Sequence, residues 1–313
     1  MIEKKHLHEE FIIPKGSKST RLDHFLSLQL PQKSRNLIQK QIKEAMVLVN
    51  EKKTKSSYAI KADDKIQWFE SYHKRIELVA YNFPLQILLE EREFIVINKP
   101  SGMPMHPGLG HYDTTIQNAL KYHYNNTQQP NALVKDCIVQ RLDKDTSGVL
   151  VLAKTEAARE FLSKQFQKMK PYRIYYALVW GRLNSKEGTI DEFIGRNPLN
   201  ERSIEVAKDH SFGKKAITHY KVIKEFNKYS LVECKLETGR THQIRVHMQY
   251  IGHPLVGDKR YEIPFLVNDI KLQNTIGRHC LHAKTLHFVS PIDQETILKF
   301  DSELPIEISN LLK

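Results

Sequence analysis

The stretch CIVQRLDKDTSGVLVLAK, residues 137–154, sets the tightest limit on what this chain can fold into. Two apolar runs, CIV and GVLVLA, read as buried strands, and between them stand Arg141, Asp143, Lys144 and Asp145. Charges flanked by core strands are costly unless they reach water or one another. The polar insert is therefore expected to be a turn that opens into a cleft or meets an opposite charge from elsewhere. The chain, at 313 residues with 40% hydrophobic and 27% charged, has the makeup of a soluble globular protein with one substantial domain and a smaller one. It has no apolar run of about 18 residues, so no membrane span is expected. The N-terminus MIEKKHLHEEFII lacks the apolar segment of a secretory signal. Cys137, Cys234 and Cys280 are widely spaced and odd in number, which argues against a disulfide framework and for the reducing cytoplasm.

The formal net charge is +12, and residues 1–80 hold 16 Lys and Arg against 10 Asp and Glu, an excess of +6. A basic region of this kind suits a polyanion, nucleic acid above all. STRLDHFLSLQL places Leu22, Phe25, Leu26 and Gln29 on one helical face, with Ser19 or Thr20 available as the cap. Pro31 stops that helix, and Ser34 opens a second whose apolar stripe is Leu37, Ile38, Ile42 and Ala45. MVLVN, a turn at NEKK and a strand near KIQWF follow. Arg21, Lys33, Arg35, Lys40, Lys43, Lys52 and Lys53 fall on or beside the polar faces, where phosphates could be met. With its RLD, SR and VN elements in order, this segment resembles an S4-type RNA-binding module. Ala62-Asp63-Asp64 stands where that pattern has Gly-Asp.

Residues 71–84 read as a connector with a possible short strand, and beyond Pro84 strands and helices alternate. LQILLE and EFIVINKP read as strands, and DTTIQNALKYHY as a helix capped by Asp113 with Ile116, Ala119 and Leu120 inward. TEAAREFLSKQFQKM is a second helix capped by Thr155. YRIYYALVWG, THYKVIKEF and YSLVECKLET read as strands, and THQIRVHMQYIG as a helix ended by Gly252. The reading is a small N-terminal α/β domain at 1–80 and an α+β catalytic-sized domain at 81–313.

Phosphate-loop, nucleophile-elbow and deaminase patterns are missing from the sequence. His279-Cys280-x-His282 has no second ligand pair, so structural histidines explain it better than zinc. Three segments remain: QRLDKDTSG, YRIYYALVWG and ETGRTHQIRVHMQYIGHPLVGDKRY. Their carboxylate, tyrosine and arginine could supply a nucleophile, a stacking partner for a base and a charge balance.

In this order, and with INKPSGMPMHPGLG before them and LHAKTLHF after, these segments closely resemble the RluA-type pseudouridine synthases, in particular the large-subunit ribosomal RNA branch. The resemblance runs from about Leu85 to the C-terminus. It implies a mixed, largely antiparallel sheet and an isomerase that needs neither metal nor small-molecule cofactor. By the same carry-over Asp143 is the catalytic aspartate, Tyr175 packs against the target base, and Arg245 pairs with Asp143. Arg141 would fill the space of a displaced uridine, Leu281 would line the pocket, and Arg240 would anchor its loop or touch phosphate. Whether Asp143 acts as nucleophile or as base on the ribose stays open. Asp145 reads as a turn residue and Tyr176 as facing away from Tyr175. His242 and His247 read as RNA contacts or, better, as groups that orient Arg245. Gln140 and Arg173 stand where the family has histidine and lysine, and Glu262 stands where a glycine is usual. The implied partner is RNA, ribosomal RNA first, free or within pre-ribosomal particles, met by a monomer. Transfer RNA as the substrate, or a silent RNA-binding factor, are the alternatives.

Overall fold

The computed structural model describes residues 5–31, 33–71, 78–108, 110–168, 171–198, 200–207, 212–264, 267 and 269–313. The chain divides into two compact units, Met1–Glu77 and Leu78–Lys313. In the first, strands β1 (Lys5–Ile12), β2 (Val47–Val49), β3 (Lys52–Lys53) and β4 (Lys65–Ser71) form an antiparallel sheet in the order β1-β4-β2-β3. Helices α1 (Leu22–Gln29) and α2 (Arg35–Lys43) supply Leu22, Leu26, Ile38 and Ile42 to a core shared with Val47, Ile66 and Trp68.

Ser34 caps α2 by accepting the Leu37 N–H at 3.3 Å. The first helix departs from expectation. Its cap position is the extended Arg21, and Ser19 instead donates to the Ile60 carbonyl at 2.9 Å. Its buried face holds Asp23 rather than Gln29, which is exposed, and Leu37 on α2 is exposed as well. Asp63 adopts φ +65°, the left-handed conformation that glycine takes most easily and aspartate tolerates. The departure Asp63-Asp64 from Gly-Asp thus keeps the turn. Asp64 then accepts from Asn50 Nδ2 and the Lys61 N–H at 2.8 and 2.7 Å. The connector's expected strand falls partly on residues 72–77, outside those described, and residues 78–85 form none.

The second unit is α+β. Its strands are β5 (Gln86–Glu90), β6 (Phe94–Lys99), β7 (Ser147–Ala153), β8 (Tyr172–Trp180), β9 (Glu187–Asn197), β10 (Asn200–Val206), β11 (Lys214–Glu225), β12 (Tyr229–Leu236), β13 (Leu281–Val289) and β14 (Ile297–Asp301). They run in the order β10-β9-β11-β12-β8-β13-β7-β6-β5, with β14 paired to β13. The short β7–β13 contact is parallel, and every other pairing described is antiparallel. The helices are α3 (Ile116–Asn126), α4 (Glu156–Gln167), α5 (Gln243–Tyr250), α6 (Ile270–Ile276) and α7 (Ile306–Ser309). Thr155 caps α4 as expected. The cap of α3 is Thr115, not Asp113, because Thr115 and Asn118 close a reciprocal capping box. CIV is not a strand: within it only Ile138 makes an isolated bridge, to Leu152.

The order β7-β13-β8-β12 is what builds the site. Motif segments far apart in sequence lie on neighbouring strands, with Tyr175 opposite Cys234 on one side and Ala283 on the other. Cys137, Cys234 and Cys280 are buried free thiols. Gly148 lies where β6, β7 and β13 meet, in register with both Lys99 and Ala283. Its φ is +116°, and a Cβ there would lie 2.2 Å from the Ala283 carbonyl oxygen. Gly148→Ala is therefore expected to destabilise the fold by about 3 kcal/mol or more. Denaturant unfolding checks this, and a variant as stable as the parent would contradict it.

Candidate active site

The chain reaches β7 through a turn in which the Thr146 N–H donates to the Asp143 carbonyl at 3.1 Å. Three groups hold this turn in place. Lys99, 1% exposed, donates Nζ to the carbonyls of Pro100, Lys144 and Thr146 at 2.8, 2.9 and 2.9 Å. Arg278 Nη1 donates to the Asp145 carbonyl at 2.9 Å, and the Thr146 hydroxyl meets His279 Nε2 at 2.8 Å. Beside it Ser147 Oγ meets His282 Nδ1 at 2.9 Å. Burial pushes the Lys99 amine down to about 7, with Asp145 and Asp143 opposing the shift.

Arg245 lies in the first turn of α5 and is nearly buried. Its Nη1 donates to Asp143 Oδ2 at 3.1 Å. Its Nε and Nη2 donate to the two oxygens of Asp258 at 2.6 and 2.9 Å. Asp258 also accepts the backbone N–H groups of Arg260 and Tyr261, at 3.1 and 3.3 Å. The Tyr261 ring centre lies 4.9 Å from the guanidinium carbon. The start of α5 is fixed by Gln243. Its Oε1 accepts from Thr238 Oγ1 and the Arg240 N–H, and its Nε2 donates to the Ile217 carbonyl and Thr218 Oγ1.

A cleft of about 590 Å³ opens above Asp143. Arg141, Tyr175, Arg240 and Leu281 line it with Asp143, while Arg245 sits behind Asp143 rather than in the wall. Arg240 Nε donates to the Lys215 carbonyl at 3.0 Å, so it ties its loop to β11. Tyr176 lies on the opposite face, packed with Leu178 and Trp180. The expectation that His242 and His247 orient Arg245 fails, while His242 lines the cleft with its Nε2 3.9 Å from Asp143 Oδ2. His247 Nδ1 pairs with Thr218 Oγ1 at 2.9 Å, and His242 Nδ1 pairs with the Tyr261 hydroxyl at 2.7 Å. Neither hydrogen-bonds Arg245; the residue that orients it is Asp258, to which the sequence reading gave no role. Lys99 and Arg278 were missed in the same way, although Lys99 lies in the quoted INKPSG and Asp258 in GHPLVGD.

In the first unit, Arg21 and Arg35 both pair with the fully buried Asp23, at 3.0 and 3.1 Å, and Gln39 adds a third donor. The Arg21 hydrogen bond contributes most to holding the Asp23 carboxyl well below the usual carboxylate range. Lys40, Lys43, Lys52 and Lys53 are exposed, and Lys33 Nζ lies 5.1 Å from the Trp68 ring centre.

Residues 93–250 match the model of the RNA pseudouridylate synthase family, and residues 20–66 match the S4 domain. A ribosomal large subunit pseudouridine synthase D of Blochmanniella floridana is 40% identical over 93% of each chain. This chain belongs to the RNA pseudouridylate synthase family. A Bacillus subtilis RNA pseudouridine synthase is 38% identical over 95% of this chain and 94% of its own. The human RNA pseudouridylate synthase domain containing 1 has a TM-score of 0.57 at 27% identity, covering 70% of this chain and 83% of that one. The chain is accordingly an RNA pseudouridine synthase, an isomerase with an S4 domain. No helix among the described residues is long and apolar enough to cross a membrane.

Two outcomes follow from the charges. Removing the carboxylate in Asp258→Ala leaves Arg245 buried with one partner, which is expected to cost about 3–5 kcal/mol of stability. An unchanged denaturant midpoint would refute that role. His242, His247, His279 and His282 are each pushed down to about 4 by burial. In the unfolded chain imidazoles take up protons near pH 6.5, so between about 6.5 and 4 the unfolded state binds more protons. Stability is therefore expected to fall as pH drops through that window. A thermal midpoint that stays level from pH 6.5 to 4.5 would count against it.

Proposed function

We propose that this enzyme isomerises specific uridines in large-subunit ribosomal RNA, with Asp143 as the reacting carboxylate. One observation carries the reading. Arg245, locked by Asp258, fixes Asp143 Oδ2 at the floor of a cleft walled by Tyr175. Oδ1 takes no hydrogen bond among the described residues, so it is free to face a bound nucleoside.

The reaction breaks the N1–C1′ bond, turns the uracil and forms the C5–C1′ bond. The proton lost from C5 is balanced by one gained at N1, so no redox equivalent enters. Attack on C1′ and proton abstraction from the ribose both need a fixed carboxylate oxygen, and the clamp on Asp143 serves either. The uridine must leave its stack to reach the cleft, at a cost of a few kcal/mol. Tyr175 would recover about 1–3 kcal/mol by stacking on the base. Arg141, exposed at the rim, would take the place the uridine left, and Leu281 would pack against the base.

The S4 domain, residues 20–66, would add phosphate contacts through its exposed lysines. The ribosomal substrate rests on the relatives named as large-subunit enzymes. Such an enzyme would work in the cytoplasm, as a monomer, on free or particle-bound RNA.

The deciding experiment maps pseudouridine across all RNA with and without the gene. Loss at defined positions of large-subunit ribosomal RNA is expected, and loss confined to transfer RNA would select that substrate instead. Restoring the gene as Asp143→Asn should leave those positions unmodified while the protein still binds the RNA. Modification by that variant would remove Asp143 from the mechanism.

A further inference from the structure

We propose that Arg173 forms an anion subsite in the cleft, which holds a phosphate flanking the reacting uridine. This rests on the reading that the cleft receives an RNA nucleotide. Arg173 and Tyr175 are two residues apart on β8, so their side chains leave the same face of the sheet. Both line the cleft.

Arg173 differs from the other buried arginines of the site, Arg245 and Arg278, in having no carboxylate partner among the described residues. Arg245 donates three hydrogen bonds to carboxylates. Arg173 is equally buried, at 8% exposed, but pairs with no carboxylate among the described residues. Its one hydrogen bond there is a long one, from Nη2 to the Glu237 carbonyl at 3.3 Å, and its Nε has no partner. The Phe166 ring, 5.9 Å from the guanidinium carbon, covers one side. A buried, uncompensated guanidinium is destabilising, and a bound anion would relieve that cost. The planar fork suits phosphate oxygens, which accept two N–H groups side by side. Uracil is uncharged, so within an RNA nucleotide the complementary group is the phosphate.

The neighbouring loop leaves room for this side chain. A Cβ at Gly239 would stand 2.8 Å from Arg173 Nη1, and nothing else within 4 Å would crowd it beyond the same guanidinium. Gly239→Ala therefore displaces the fork without changing the charge.

The test compares binding of uridine 3′,5′-bisphosphate and of uridine to the full chain by ligand-observed NMR. The parent should prefer the bisphosphate by about tenfold or more, the scale of charge-assisted hydrogen bonds. Arg173→Gln and Gly239→Ala should each lose most of that preference, and Arg173→Lys should keep part of it. Thermal midpoints show whether each variant is folded, and Gly239→Ala serves if Arg173→Gln is not. A parent without preference, or a preference that survives both variants, overturns the proposal. Equal losses for both ligands would make Arg173 a base contact and also overturn it. The assay needs no turnover, so it separates from the substrate reading. Mapping that shows no ribosomal target would leave the phosphate preference standing, and a mapped target would not rescue a subsite that fails here.

Discussion

A single guanidinium between two carboxylates organises this protein. Arg245 carries one charge and meets two, Asp143 at the cleft and Asp258 behind it. Removing either partner would leave part of this buried charge uncompensated, at a cost of several kcal/mol. Each partner then constrains a different part of the chain. Asp258 is held by the N–H groups of Arg260 and Tyr261, so the loop after α5 must close back over the start of that helix. Asp143 must come from a turn 102 residues earlier. The order β7-β13-β8-β12 is the topology that lets those segments meet, and Lys99 and Arg278 keep the turn from drifting out of reach.

The parts of this site legible in the sequence were those carried by local pattern. QRLDKDTSG and YRIYYALVWG signalled an exposed turn and a strand, and the family resemblance implied that Asp143, Tyr175 and Leu281 share the cleft that they line. Asp258 and Lys99 lay inside quoted motifs yet had no assigned role. Both act across the fold, on groups that periodicity and capping rules do not see. The partners that decide their roles, Arg245 for Asp258 and the Lys144 and Thr146 carbonyls for Lys99, lie 13 to 47 residues away. The expected contact of His242 and His247 with Arg245 has the same root: sequence proximity suggested it, but helix geometry turns His247 toward Thr218 on β11. CIV failed as a strand for a simpler reason, since three apolar residues can be core without forming a ladder.

The first unit shows how a sequence can overstate free charge. Arg21 and Arg35 belong to RLD and SR, elements that a basic surface reading assigns to phosphate. Their guanidinium groups share the buried Asp23, a residue outside the face of Leu22, Phe25, Leu26 and Gln29 that the helical pattern marked as inward. Part of the positive charge of this module is thus internal cement that joins α1 to α2. The lysines of α2, β2–β3 and their turn remain in water, and they carry the longer-range field.

The three thiols have a consequence for how opening of this fold could be watched. Burial raises Cys137 and Cys280 to about 12 and pushes Cys234 higher still, so the thiolate that alkylating reagents attack is scarce in the closed chain. Cys234 stands directly across the ladder from Tyr175. Its labelling is therefore a clock for separation of the two strands beneath the cleft, and a nucleoside lodged there would slow that clock.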